Sequence, residues 1–413
     1  MPKVIQYSKG SIPYFAGDED PRVFILQKGI MILSSIDPET HCTITDQVKP
    51  GEFFGVKSAL GHFSREETAT ALSDAAVVAL TVPEFEKLVS TNKEILMKML
   101  RVFSKQLRQI HKKIESVLNN IPEDQQTGMI AVAKSFYDEE EYRSCYDVCK
   151  KMLERFPNTQ YAAEVKALLD ESKLIAQKEL ARQYVPNPNE TTGGLKQFSL
   201  PLFERFAKTY VPGQVIISEH EPGDTFYLIQ AGQVQLLKCV NGTQKNLDIL
   251  KAGEFFGEMA ILDNSPRSAT CMALDNVKCL EFSKANFESL VTSNPQIGLS
   301  LLKLFSKRIY DQKRRFRILT IADLQIRIMD TFLLFDEMNP SMNTAEKSRK
   351  FNVTVSDVAH WSGLNTETAQ SEMAKLEERR KVEIQEKSIV VANIADFQRL
   401  VESHVNASHP KGM

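Results

Sequence analysis

The chain contains the pentapeptide Gly-Glu-Phe-Phe-Gly twice, at 51–55 and again at 253–257. At the same offset Leu60 matches Leu262, Arg65 matches Arg267 and Thr68 matches Thr270. The register continues without a gap through Phe85 and Phe287, Leu88 and Leu290, Asn92 and Asn294, and Ile95 and Ile297. It ends in the Phe-Ser-Lys of 103–105 and the Phe-Ser-Lys of 305–307. Upstream, the run ending at Gly29 parallels the run ending at Gly232, so a single-residue indel separates the copies. Chance does not produce a match of this length, and two copies of one domain are expected.

Each copy opens with short runs of alternating apolar residues punctuated by Gly and Pro, as in VPGQVIISEHEPGDTFYLIQAGQVQLLK at 211–238. This pattern predicts an antiparallel barrel or jelly roll. Each copy then closes on a long helical pattern. Leu100, Phe103, Leu107, Ile110, Ile114 and Val117 form one stripe, and Leu302, Phe305, Ile309, Gln312, Phe316 and Leu319 keep the same phase. Packing against its own barrel explains one such stripe. Two in register favour a coiled-coil seam, formed within the chain or in a homodimer.

Between the copies lies a different segment, helical in period and broken at Phe156-Pro157-Asn158. Ala131, Tyr137, Tyr142, Tyr146 and Ala162 are placed much as in a tetratricopeptide repeat, which the segment resembles. One repeat cannot stack into a solenoid, so a helical spacer docked between the copies is expected. Val185–Gly194 reads as a Pro/Gly/Asn linker. The expected fold class is α+β and multidomain. A first barrel with its seam helix spans 1–120, the spacer 121–185, a second barrel with its seam helix 195–320, and a C-terminal module 321–413.

Composition narrows the function classes. The chain is 42% apolar and 25% charged, ordinary for a globular protein. No apolar run approaches the roughly 20 residues that span a bilayer, and no membrane partner is expected. The N-terminus lacks the layout of a secretory signal. A net charge of −2 argues against coating nucleic acid in bulk but permits a local DNA-reading module. The six cysteines, at 42, 145, 149, 239, 271 and 279, are scattered and read as small buried side chains in a reducing, cytoplasmic compartment. The seven histidines and the acids form no acid–base or metal spacing. No catalytic residue, metal or cofactor is therefore expected.

The second copy carries the most specific chemistry, in GEFFGEMAILDNSPRSATCMAL at 253–274. Gly257 permits a tight backbone path, and Glu258, Met259 and Ala260 open a helical turn whose N–H groups attract anions. Arg267 can grip two phosphate oxygens in a bidentate fork, and Ser268 and Ala269 supply a hydroxyl and further N–H donors. Glu258 is a poor phosphate ligand but a good acceptor for a sugar hydroxyl. The set reads both halves of a ribose phosphate.

Gly257, Glu258, Ala260, Pro266, Arg267, Ser268 and Ala269 resemble the phosphate-binding cassette of cyclic nucleotide-binding domains, and Pro222-Gly223-Asp224 with Tyr227 through Gly232 resembles the upstream barrel. The chain is similar to the catabolite-activator/FNR family, well over 200–400 and divergently over 10–115. The resemblance implies a cyclic nucleotide ligand. It favours cyclic AMP, with cyclic GMP open, and a base contact from the seam helix at Gln312 and Lys313. In the first copy Val56 and Lys57 replace Glu258 and Met259, and Glu66 and Glu67 replace Ser268 and Ala269. Two carboxylates beside Arg65 would pair with it and repel phosphate. That copy reads as degenerate for mononucleotides, with another anion or a cyclic dinucleotide open at Lys57 and Arg65.

The resemblance also matches Asp323, followed by Arg327, to the family's hinge. Beyond it, Val355, Val358 and Ala359 predict a short helix, Gly363 a turn, Leu364 a core plug, and Asn365 or Thr366 the cap of a second helix over 366–380. Residues 381–393 suit a two-stranded wing, giving a winged helix-turn-helix. Thr366, Glu367, Gln370, Ser371 and Lys375 occupy its DNA-facing positions. The arginines usual at that entry are missing, and Lys375, Arg379, Arg380 and Lys381 are balanced by Glu367, Glu372, Glu377 and Glu378. Phosphate contacts supply most DNA affinity. Two readings follow: a regulator in which ligand binding reorients the winged helix on double-stranded DNA, and a signalling adaptor whose spacer and winged helix bind proteins.

Overall fold

A computed structural model describes residues 3–40, 42–118, 124–186, 201–240, 242–338 and 347–408. Most of the expected linker at Val185–Gly194 lies outside the described residues. The chain forms two compact units, Met1–Val117 with Val291–Met413, and Leu118–Leu290.

In the first unit the N-terminal copy runs β1 (Lys3–Tyr7), β2 (Val23–Lys28), β3 (Met31–Ile36), β4 (Thr43–Val48), β5 (Phe53–Phe54), α1 (Val56–Gly61), β6 (Thr68–Ala71), β7 (Ala75–Leu80), α2 (Val82–Thr91) and α3 (Lys93–Val117). Its strands form antiparallel sheets of order β1-β7-β2-β5 and β4-β3-β6. Tyr14, Phe24 and Phe54 fill the space between them, with the rings of Phe24 and Phe54 stacked at 5.2 Å.

The second unit begins with the spacer: α4 (Gln125–Asp138), α5 (Tyr142–Arg155), α6 (Ala162–Ile175) and α7 (Gln177–Leu180). Phe156 ends α5 where the sequence places the break. The second copy follows as β8 (Ala207–Tyr210), β9 (Val215–Ile217), β10 (Thr225–Ala231), β11 (Val234–Val240), β12 (Thr243–Leu250), β13 (Phe255–Phe256), α8 (Glu258–Asp263), β14 (Thr270–Ala273) and β15 (Val277–Ser283), leading into α9 (Lys284–Ser293). Its sheets have the order β13-β10-β15-β8 and β12-β11-β14-β9. Strand for strand this is the order of the first copy, with β9 added where the first copy has only a Tyr14–Ala69 bridge. Tyr227 stacks on Phe256 at 4.9 Å, at the positions of Phe24 and Phe54.

The spacer packs directly on this second barrel. Met129, Val132, Phe136, Cys145, Val148, Cys149 and Met152 share one apolar cluster with Val215, Leu237 and Met272. Cys145 and Cys149 are fully buried packing groups there.

The first unit is completed by α10 (Pro295–Leu319), α11 (Leu324–Met338), β16 (Arg349–Phe351), α12 (Val355–Ser362), α13 (Thr366–Glu378), β17 (Val382–Gln385), β18 (Ser388–Val391) and α14 (Ile394–Ser408). The two seam helices, α3 and α10, are each 25 residues long and pack against one another within the chain. Leu96 and Gly298 occupy equivalent positions of the repeat and face each other. A Cβ on Gly298 would lie 2.5 Å from a Leu96 methyl. Further along both helices Lys113 lies 5.5 Å from the Phe316 ring, and the two contacts together make the pair parallel and nearly in register. Leu100, Phe103, Leu107, Ile114, Leu302, Phe305, Ile309, Phe316 and Leu319 are buried as the stripes predict, whereas Ile110, Val117 and Gln312 stay half-exposed.

In the C-terminal module the Thr354 side chain accepts from the Asp357 N–H and caps α12, which ends at Gly363 with φ 68°. Asn365 caps α13 by accepting from the Thr368 N–H. Its sheet is three-stranded, β16-β18-β17, so the expected hairpin gains a strand from Arg349–Phe351. The expected segment 195–320 is divided between the two units after Leu290.

Candidate cyclic nucleotide site

In the second copy the turn between β13 and α8 is set by Gly257 at φ 80°, a left-handed conformation that favours glycine. A Cβ there would also lie 2.9 Å from Arg267 Nη1. Arg267 is 5% exposed; Nη1 donates to the Gly257 carbonyl at 2.7 Å and Nη2 to Thr225 Oγ1 at 3.0 Å. Gly223 lets α8 and the guanidinium close together, because a Cβ on it would meet Ala260 Cβ at 2.5 Å and Arg267 Nε at 2.6 Å. Glu258, 1% exposed, heads α8 beside buried Met259 and Ala260. Ser268 and Ala269 are half-exposed. Gly257 through Ala260 and Arg267 through Ala269 are thus brought together in one unit.

The sequence pointed neither to Thr225 nor to the buried ion pair beneath the cassette. Lys238 Nζ donates to the Ser268 carbonyl at 3.1 Å and lies 2.6 Å from Glu219. Glu219 is 1% exposed. Burial alone would push its carboxyl up, but Lys238 and His220 hold it below the ordinary glutamate value. The one signal was Lys238 itself, which falls on the barrel-facing alternation of Val234 and Leu236.

The first copy shows why Arg65 is a different group. Its Nη1 donates to the Gly55 carbonyl at 2.6 Å, as Arg267 does at Gly257, but also to Ser58 Oγ at 2.7 Å. Nη2 donates to the Arg22 carbonyl and lies 3.8 Å from Asp20. The guanidinium sits 4.4 Å over the ring of Tyr14, in the place that Ile217 holds in the second barrel. Ser58 stands where Ala260 does, and Val56 where Glu258 does. Glu66 turns instead to two lysines, Lys57 at 3.7 Å and Lys313 at 3.0 Å. Burial and the Lys313 charge push Lys57 below the ordinary lysine value. Replacing Arg65 by Ala is accordingly expected to change cyclic mononucleotide affinity less than about twofold in calorimetry, since both of its Nη groups are already engaged within the fold.

Lys313 and Gln312, expected beside the second pocket, lie on α10 in the unit of the first copy. Tyr310 of the same helix stacks on Phe63 at 4.1 Å. In the C-terminal module Ala369, Met373 and Leu376 bury one face of α13, leaving Glu367, Gln370, Ser371 and Lys375 exposed and Thr366 half-exposed. Lys375 is paired with Glu372.

The cyclic nucleotide-binding domain profile matches residues 4–92 and again 207–294. A CRP-like cAMP-activated global transcriptional regulator of Mycobacterium tuberculosis is 23% identical over 189 residues, 46% of this chain and 83% of that protein. The cAMP-activated global transcriptional regulator CRP of Pasteurella multocida is 27% identical over 184 residues, 44% of this chain and 88% of that one. A cAMP-dependent protein kinase regulatory subunit of Mucor circinelloides f. lusitanicus is 38% identical over 79 residues, 19% of this chain and 18% of the subunit. No helix among the described residues is long and apolar enough to cross a membrane. With the same strand order in both copies and the profile matching each, the chain carries the cyclic nucleotide-binding domain twice and is similar to regulators of the catabolite-activator type.

Proposed function

We propose that the second copy binds a cyclic mononucleotide, cyclic AMP before cyclic GMP, and that occupancy is passed through α10 to the C-terminal module acting as a winged helix on double-stranded DNA. The observation that carries this reading is that buried Glu258, at the head of α8, and buried Arg267, bonded to the Gly257 carbonyl, stand in one cassette. A carboxylate for the ribose hydroxyl and a guanidinium fork for the phosphate stand together there. The relatives named for cAMP activation supply the choice of base and the DNA partner. Ligand binding shifts such an equilibrium only through different affinities for two arrangements of the seam helix. Calorimetry with cyclic AMP and cyclic GMP tests the site. A gel shift in low salt, with and without cyclic AMP, tests the output. Nucleotide bound with no retarded DNA at any salt would sink the DNA reading.

A second reading has its own support. The exposed face of α13 offers no guanidinium, and its Lys375 is neutralised by Glu372. Such a face suits a protein partner as well as DNA. In that case the protein is a nucleotide-responsive adaptor, and its tetratricopeptide-like spacer and winged helix carry the contacts. Nothing in the site arranges acid, base and nucleophile for catalysis, and the proposed role is that of a sensor.

A further inference from the structure

We infer that the spacer is a structural part of the second nucleotide site, and that Lys151 of α5 is the residue that positions Arg267. This deepens the reading of the second copy as a nucleotide site and rests on it. One face of α5 carries Ser144, Asp147, Lys151 and Arg155, a helical stripe of polar groups. That stripe runs along the chain from Gly213 to Asp224. Ser144 Oγ donates to the Gly213 carbonyl at 2.9 Å, and Asp147 accepts from the Val215 N–H at 3.0 Å. Lys151 Nζ donates to the Ile216 carbonyl at 2.7 Å and lies 3.6 Å from the Glu221 carboxylate. Arg155 lies 3.8 Å from Asp224. Strand β9 is the edge of its sheet. The side chains of α5 therefore take up backbone groups that would otherwise face water.

The segment held in this way is the one that fixes the cassette. The His220 N–H donates to the Arg267 carbonyl at 3.0 Å, and the Arg267 N–H donates to the Glu221 carbonyl at 2.9 Å. The Glu219 N–H donates to Thr270 Oγ1 at 3.0 Å. Arg267 is thereby clamped on both sides of its own backbone by residues 219–221. Lys151 grips that segment at its entry, Ile216, and at its far end, Glu221, which is only 3% exposed. Helix α4 closes the other side. His220 lies so near Gly128 that a Cβ there would come within 2.5 Å of the imidazole ring. A guanidinium fork reads phosphate by geometry, so a loosened backbone at 267 costs affinity even with Arg267 intact.

The test uses the full chain with Lys151→Met, Lys151→Arg and Ser144→Ala. Ser144 docks the same helix upstream, on Gly213 and on Met272 of β14, outside residues 264–270. Lys151→Met is expected to weaken cyclic AMP binding about five- to tenfold in calorimetry. It should also speed amide exchange of residues 216–221 and 264–270 in the unliganded chain, with α4–α6 exchanging as before. Lys151→Arg should restore both, and Ser144→Ala should leave 264–270 unchanged. Unchanged exchange at 264–270 in Lys151→Met overturns the inference, as does an identical effect of Ser144→Ala, which would mean general loss of docking. A chain that binds no cyclic nucleotide but still shows the exchange change refutes the nucleotide reading and leaves Lys151 as the positioning residue.

Discussion

Replacing Arg267 by Ala is expected to abolish cyclic nucleotide binding in the micromolar range. The guanidinium is buried in a cassette whose other donors are backbone N–H groups and hydroxyls, and the nearby Lys238 ammonium is held by Glu219 and the Ser268 carbonyl. Each hydrogen bond to a charged group contributes about 1.5–3 kcal/mol, and a two-pronged contact about twice that. A loss of about 3 kcal/mol already weakens affinity more than a hundredfold. Arg267→Lys should fare little better, because an ammonium keeps the charge but not the fork. Calorimetry gives the affinity, and the far-ultraviolet spectrum shows that the barrel is kept. The check on the fold matters, since Arg267 also bonds to the Gly257 carbonyl and Thr225. Affinity within threefold of the natural chain would remove this cassette as the site. The contrast with Arg65→Ala is the sharper experiment. The two arginines make the same bond to the glycine before their helix, and differ in what surrounds that bond.

That contrast also marks what the sequence could reveal. The repeat told which positions of the two copies are equivalent, and the strand orders agree apart from β9. It also raised the expectation that Glu66 and Glu67 pair with Arg65, whereas Glu66 lies against Lys57 and Lys313 and Arg65 lies near Asp20. It did not tell where Glu66 goes, and α10 returns Lys313 to it across a separation of 247 residues. Periodicity states which way a side chain faces its own element, not which distant element arrives there. For the same reason periodicity alone says nothing of what meets Ser144, Asp147, Lys151 and Arg155 on α5. Only the structure lays β9 along it. Tyr14 is a third case. As a residue it reads as one more aromatic in a strand, and its meaning comes from lying under Arg65. Gln312 and Lys313 were read from the family's base contact, and Lys313 pairs with Glu66 of the first copy.

Asp330→Ala is expected to cost about 3–5 kcal/mol of stability in the unit that holds the C-terminal module. Arg314 of α10 points both guanidinium arms at Asp330 of α11, with Nη1 donating to Oδ2 at 2.7 Å and Nη2 to Oδ1. The two side chains are 7% and 1% exposed. Burial disfavours the Arg314 charge, and Asp330 with Glu337 overcomes it, holding the group above the ordinary arginine value. Removing the carboxylate leaves a buried cation with the exposed Glu337 at 3.2 Å. Urea unfolding should therefore show an earlier transition, and the double variant Arg314→Met with Asp330→Leu should recover most of the loss by replacing the pair with apolar volume. A cost below about 1 kcal/mol for the single variant would mean that the fork carries no load. The double variant bears on function as well. Next to Arg314, Arg315 donates to the His360 carbonyl at 3.1 Å and lies 5.0 Å over Trp361. Burial pulls this guanidinium down to about 10. Adjacent residues of the seam helix thus hold α11 and α12 of the module. A double variant that is stable and binds nucleotide normally, yet no longer responds to it in the gel shift, would separate the fork's part in signal transfer from its part in folding.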